Sequence, residues 1–172
     1  MLFRSLEKTL KSNNFKVYNT IITDEPCNSN INIICSHGDK DIAKNQLLHP
    51  NREISISNKR TIISTGDVLI FFVCHSGSYA KGFLNNDMSS LVKTYIKKGY
   101  KAVIAPFWAL HIDLPKIWLP EFLISLNNGC NIDKAVFKAN QVVRANYPTI
   151  AAWGSMHLYG CPTLSVNNSK SI

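Results

Sequence analysis

Three short apolar runs punctuate the chain and define its skeleton. Ile31-Asn32-Ile33-Ile34-Cys35, Val68-Leu69-Ile70-Phe71-Phe72-Val73 and Ala102-Val103-Ile104-Ala105 are continuous rather than alternating. Runs of this length, rich in β-branched and aromatic residues, predict strands buried on both faces of a sheet. Between and after them the spacing changes to that of helices. Helices are predicted over Arg4 to Asn14, over Ser89 to Lys98 with Gly99 as a left-handed cap, over Leu114 to Leu126, and over Asp133 to Asn146. In the last of these Ala135, Ala139, Val142 and Val143 share one face. Phe15 to Asn19 reads as extended, Thr23 to Asn30 as a connection, and Glu53 to Ser64 as a small hairpin about Asn58-Lys59 carrying Ile54, Ile56, Ile62 and Ile63. A last strand is expected from Trp153 to Tyr159, closed by Gly160-Cys161-Pro162.

Buried strands alternating with helices predict an α/β fold, a three-layer α/β/α sandwich with a mainly parallel sheet, because parallel strands need crossovers that cover both sheet faces. The 172 residues, 45% of them apolar, suit one domain over residues 1–166, with a polar tail at 167–172. No apolar run approaches the roughly 18 residues that span a bilayer, and Met1 to Lys16 is charged and amphipathic. The expectation is a cytoplasmic protein without membrane contact. Five cysteines, an odd number without a CxxC pair, fit neither a disulfide framework nor a zinc ribbon. The net charge of +8 is spread along the chain, and only Lys93, Lys97, Lys98 and Lys101 cluster. This favours a solvated helix face over a nucleic-acid site.

Candidate chemistry sits where two of the apolar runs end. In open α/β sheets functional groups gather at the carboxyl ends of the strands. The first run passes into Ser36-His37-Gly38-Asp39 and the second into Cys74-His75-Ser76-Gly77. If these strands are parallel neighbours, an imidazole and a thiol reach the same sheet edge. A thiol of pKa about 8.5 needs assistance near neutral pH, and a histidine of pKa about 6.5 accepts that proton and later returns one to a leaving amine. Gly38 and Gly77 allow close approach of a substrate backbone, and the N–H groups of Gly38 and Cys74 can serve a developing oxyanion. Taken alone, the residues leave a second reading open, with Cys74 a small buried hydrophobe and His37 an ordinary loop residue.

The motif Ile33-Ile34-Cys35-Ser36-His37-Gly38-Asp39 resembles the histidine strand and loop of caspase-type cysteine peptidases, and Ile70 to Gly77 resembles their nucleophile strand. Gly99 to Trp108 is similar to the CHAT-domain branch of this clan, in which a strand ends in a tryptophan beside the substrate cleft; Trp153 and Gly160-Cys161-Pro162 resemble the end of such a domain. The resemblance covers residues 31 to 162. It implies a caspase-like fold and a cysteine endopeptidase without cofactor or metal. His37 would be general base and acid, Cys74 the nucleophile, and the Gly38 and Cys74 N–H groups the oxyanion hole. An extended protein substrate would bind at Phe107, Trp108, Ala109 and Leu110. It also implies control by a partner or by a fused sensor or repeat module.

Two departures stand out. Relatives of this kind place acidic residues soon after the tryptophan, whereas here Trp108-Ala109-Leu110-His111-Ile112-Asp113 offers only Asp113, so basic and neutral P1 residues are both open. A further strand expected before Arg4 is missing from the sequence, which suits either a portion of a larger protein or a sheet completed by a partner. It also sustains the alternative of a catalytically inactive binding or regulatory subunit. Cys35, His37, His75, His157 and Cys161 can be drawn as a zinc site, but Cys35 and His37 alternate sides of an extended chain. A serine hydrolase lacks its G-x-S-x-G elbow here. Trp118, Phe122 and Leu126 recur at helical spacing and read as core.

Overall fold

The computed structural model describes residues 2–12, 30–35, 37–38, 47–48, 55–56, 66–74, 76 and 91–166. The fold is mixed α/β. Helix α1 spans Leu2–Ser12; strands β1 (Ile31–Cys35), β2 (His37–Gly38), β3 (Leu47–Leu48), β4 (Ser55–Ile56) and β5 (Val68–Phe72) follow, then α2 (Leu91–Lys97) and β6 (Ala102–Pro106). The chain continues through α3 (Leu114–Asn127), α4 (Ile132–Asn146), α5 (Ile150–Trp153) and β7 (Met156–Gly160). These elements divide between two compact units.

The first unit holds the sheets and α2. Its main sheet has the order β1-β5-β6-β7, with β1 parallel to β5, β5 parallel to β6, and β7 antiparallel to β6. Every residue of β5 and β6 is buried, which is why their sequences are continuously apolar rather than alternating. Leu69, Phe71, Val73, Val103 and Ala105 share a cluster with Ile34 of β1 and with Val92, Tyr95 and Tyr100 on and after α2. Tyr95 is its keystone, fully buried and edge-on to Phe71 at 5.3 Å and Tyr100 at 5.8 Å. Each such fully buried side chain contributes roughly 1.5–3 kcal/mol. In β1, Asn32 and Ile34 are the buried positions, and the Asn32 Nδ2 donates to the Tyr100 hydroxyl at 3.0 Å, satisfying a polar group inside the cluster.

Helix α2 ends as its sequence predicts. Gly99 adopts φ 105°, its N–H donates to the Ile96 carbonyl and that of Tyr100 to the Tyr95 carbonyl. The basic cluster is drawn into local contacts: Lys101 Nζ pairs with Asp67 Oδ1 at 2.7 Å, which raises the lysine's affinity for its proton, and Lys98 lies 5.0 Å over the Tyr95 ring.

The second unit is helical. Trp118, Leu119 and Phe122 of α3 are wholly buried, with the Trp118 and Phe122 rings stacked at 4.7 Å and the Trp118 Nε1–H donating to Asn140 Oδ1 of α4 at 2.8 Å. Ile132, Ala135, Val136, Ala139 and Val143 form the buried stripe of α4; Val142 falls at its margin, half-buried. The N-terminal N–H groups of α4 are met by the later chain, Ile132 donating to the Leu164 carbonyl and Asp133 to that of Pro162.

One sequence expectation needs correction. The final strand does not begin at Trp153: Ile150–Trp153 is a helical turn, and β7 starts at Met156. Ile150-Ala151-Ala152 is as compatible with helix as with strand, Thr149 enters it with extended geometry, and Gly154 ends it. The hairpin expected between Glu53 and Ser64 is only partly within the described residues, and Asn58-Lys59 lie outside them. What is described is a separate antiparallel sheet of order β2-β3-β4, in which Leu47 faces both Gly38 and Ile56. Two-residue strands carry no readable alternation, so pairing across distant positions was invisible in the sequence. Phe15 to Asn19, Thr23 to Ser29 of the expected connection and the tail after Val166 also lie outside the described residues.

Candidate active site

The parallel register of β1 against β5 places the two candidate residues at equivalent positions. Ile31 pairs with Val68 and the ladder runs in step to Cys35 with Phe72, an offset of thirty-seven positions. His37 and Cys74 carry the same offset, each two residues past the last pair. Adjacent strands lie about 4.8 Å apart, so the two backbones leave the carboxyl end of the sheet side by side. Beyond that point they diverge in kind. His37 and Gly38, expected in a loop, form β2 opposite Leu48 and Leu47.

Cys74 enters a tight turn closed by the Ser76 N–H donating to the Val73 carbonyl at 3.2 Å. A turn at the end of a wholly buried strand lifts the following side chain out of the core, and Cys74 is half-buried where Val73 is sealed. Its sulfur accepts a hydrogen bond from the Leu110 N–H at 3.4 Å. Ser76 is itself buried, and its Oγ has no hydrogen-bond partner among the described residues. His75 and Gly77 lie outside the described residues.

The segment expected to receive substrate leaves the end of β6. The Phe107 N–H donates to the Ser155 carbonyl at 3.1 Å, and the chain bends at Phe107 and Trp108. Phe107 is 38% exposed, Trp108 half-buried, Ala109 exposed and Leu110 half-buried. The two rings meet edge-on at 6.0 Å, and both meet the His157 ring, at 5.9 and 5.8 Å. His157 stands on β7 opposite Ala105, with Tyr159 6.5 Å along the strand. Sequence reasoning treated His157 only as a paper zinc ligand. Its alternate spacing with Tyr159 on a strand was the available signal, but the antiparallel pairing that carries it to Phe107 and Trp108 was not.

Asp113 belongs to the helical unit, at the N-terminus of α3. Its carboxylate pairs with Lys116 Nζ at 2.9 Å and its N–H donates to His111 Nδ1 at 3.3 Å. Cys35 and Cys161 sit by opposite edge strands of the main sheet, which separates two members of the zinc drawing. Burial pushes the Cys35 thiol up to about 12, so it is an inert neighbour at the end of β1 rather than a competing nucleophile.

A half-buried thiol past the end of β5, a histidine two residues past the end of the neighbouring β1, and a segment after β6 whose amide reaches the sulfur are parts that nucleophilic acyl transfer can use. Comparison with solved structures finds a chain of the Saccharomyces cerevisiae separase–securin complex, at 12% identity and a TM-score of 0.48, over 92% of this chain and 13% of that one. The chain thus spans a small fraction of that protein's length. No family model matches the chain, and no curated protein does.

Proposed function

We propose that this chain is a caspase-like cysteine endopeptidase of the CHAT-domain kind, with Cys74 as nucleophile and His37 as general base and acid. The observation that carries this reading is the shared offset of the β1–β5 ladder and of the His37–Cys74 pair. In the reaction His37 takes the thiol proton as the Cys74 sulfur attacks the scissile carbonyl carbon. The oxyanion of the tetrahedral intermediate accepts hydrogen bonds from the Gly38 and Cys74 N–H groups, each such donor contributing on the order of 3 kcal/mol. Collapse expels the amine, protonated by His37, and leaves a thioester. Water, deprotonated by His37, then attacks the thioester and releases the carboxylate and the free thiol.

The substrate is a polypeptide laid in extended form along Phe107 to Leu110. Both basic and neutral P1 residues stay open. A regulatory protein or fused module and a cytoplasmic setting complete the proposal; nucleic acid has no part in it. Among the described residues no helix is long and apolar enough to cross a membrane. Two measurements test the reading. Cys74→Ala should abolish peptide hydrolysis while leaving the thermal melt in place, and a peptidyl electrophile should label Cys74 ahead of the other four cysteines. Hydrolysis undiminished in Cys74→Ala would remove it.

A further inference from the structure

We infer that the main-chain N–H of Leu110 is the group that holds the Cys74 sulfur in its attacking position, which makes the segment after β6 a part of the nucleophile's machinery and not only a bed for substrate. The inference rests on the reading of Cys74 as nucleophile, and three features carry it. The Leu110 N–H donates to Cys74 Sγ at 3.4 Å, across thirty-six positions of sequence. Cys74 is otherwise placed by a turn, where a single-bonded side chain retains its choice of rotamers. A directional donor on the segment after β6 selects one of them. That segment starts from a held point: β6, four residues before Leu110, is wholly buried, and the Phe107 N–H is anchored on the Ser155 carbonyl.

The chemistry benefits in two ways. Placing a nucleophile within a fraction of an ångström of its line of attack contributes to rate without any change in binding, and an N–H on sulfur stabilises the thiolate that forms as the thiol gives up its proton. Because this N–H is committed to sulfur, it is not available to pair with the substrate backbone. Its loss should therefore lower kcat and leave KM nearly unchanged. The contact is made by the main chain of Leu110 and not by its side chain.

The test compares the wild-type chain with Leu110→Pro and with an amide-to-ester replacement at Leu110, which both remove the donor. The ester leaves side chain and backbone geometry in place, so it stays informative if the proline variant unfolds. Two readouts are taken: kcat and KM on a peptide ester or amide, and the rate of Cys74 alkylation by iodoacetamide. The expected result is a fall in kcat and in alkylation rate of roughly tenfold or more for the ester relative to wild type, about the loss of one charge-assisted hydrogen bond, with KM within twofold. Equal alkylation rates and equal kcat in the ester and the wild-type chain would overturn the inference. If the wild-type chain hydrolyses no peptide but its Cys74 alkylation still depends on the Leu110 N–H, the peptidase reading fails while the sulfur contact stands.

Discussion

Gly160 is the position where a single added carbon should do most damage. It closes β7 at φ 102°, and a Cβ built there would collide with the Lys101 backbone carbonyl oxygen. Gly99 is the natural control, since its φ is 105° and an added Cβ meets nothing within 4 Å. Gly99→Ala therefore isolates the backbone penalty of holding an L-residue in this region, about 1–3 kcal/mol. Gly160→Ala carries the same penalty plus the displacement of a main-chain group that cannot rotate away, about 1–3 kcal/mol more. The Cys161 N–H donates to that same Lys101 carbonyl at 2.9 Å, and Gly160 pairs with Ala102 in the ladder, so relieving the clash also strains about 1 kcal/mol of hydrogen bonding per bond disturbed. The expectation is a loss of about 1–3 kcal/mol for Gly99→Ala and, with one hydrogen bond disturbed, about 3–7 kcal/mol for Gly160→Ala. Urea unfolding followed by far-UV circular dichroism measures both. A Gly160→Ala variant no less stable than Gly99→Ala would refute the steric argument.

Three further outcomes follow from the same geometry. Ser76→Ala removes a buried hydroxyl that lacks a partner among the described residues, so it should leave the melting temperature unchanged or raise it; a loss above about 1 kcal/mol would show that the hydroxyl is satisfied in solution. Cys35 is raised from 9.0 to about 12 by burial, so the unfolded chain loses this proton first; stability should decline as pH rises from about 9 towards 12, and Cys35→Ala should flatten that decline in pH-dependent urea titrations. A slope unaffected by Cys35→Ala would place the titrating group elsewhere. Trp108→Ala and His157→Ala should each raise KM several-fold for peptides with an apolar residue next to the scissile bond, because each dismantles the ring cluster on Phe107; unchanged KM values in both would exclude that cluster from substrate binding.

Much of the scaffold was legible because its signals are local. Val68 to Phe72 and Ala102 to Ala105 read as buried strands since no polar side chain interrupts them, and every one of these residues is buried. Gly99 read as a helix stop because glycine alone accepts its dihedral at no steric cost. The stacked Trp118 and Phe122 read as core from a spacing of four on a helix. Where local signals were balanced, reading failed. Ile150 to Trp153 has no pattern that prefers strand over helix, and the paired residues of β2, β3 and β4 are too few for periodicity to show.

What the sequence by itself determined is the set of buried segments and the presence of His37 and Cys74 just beyond two of them, because burial and strand ends are written in runs of neighbouring residues. The tertiary structure alone decided that β1 and β5 are adjacent, parallel and in a register that matches the two candidates, that β7 returns antiparallel to set His157 on Phe107 and Trp108, and that the Leu110 N–H reaches the Cys74 sulfur. Each of these is a pairing between positions tens of residues apart. Such pairings are selected by competition among whole arrangements for the same buried surface and hydrogen bonds, so no single segment encodes them.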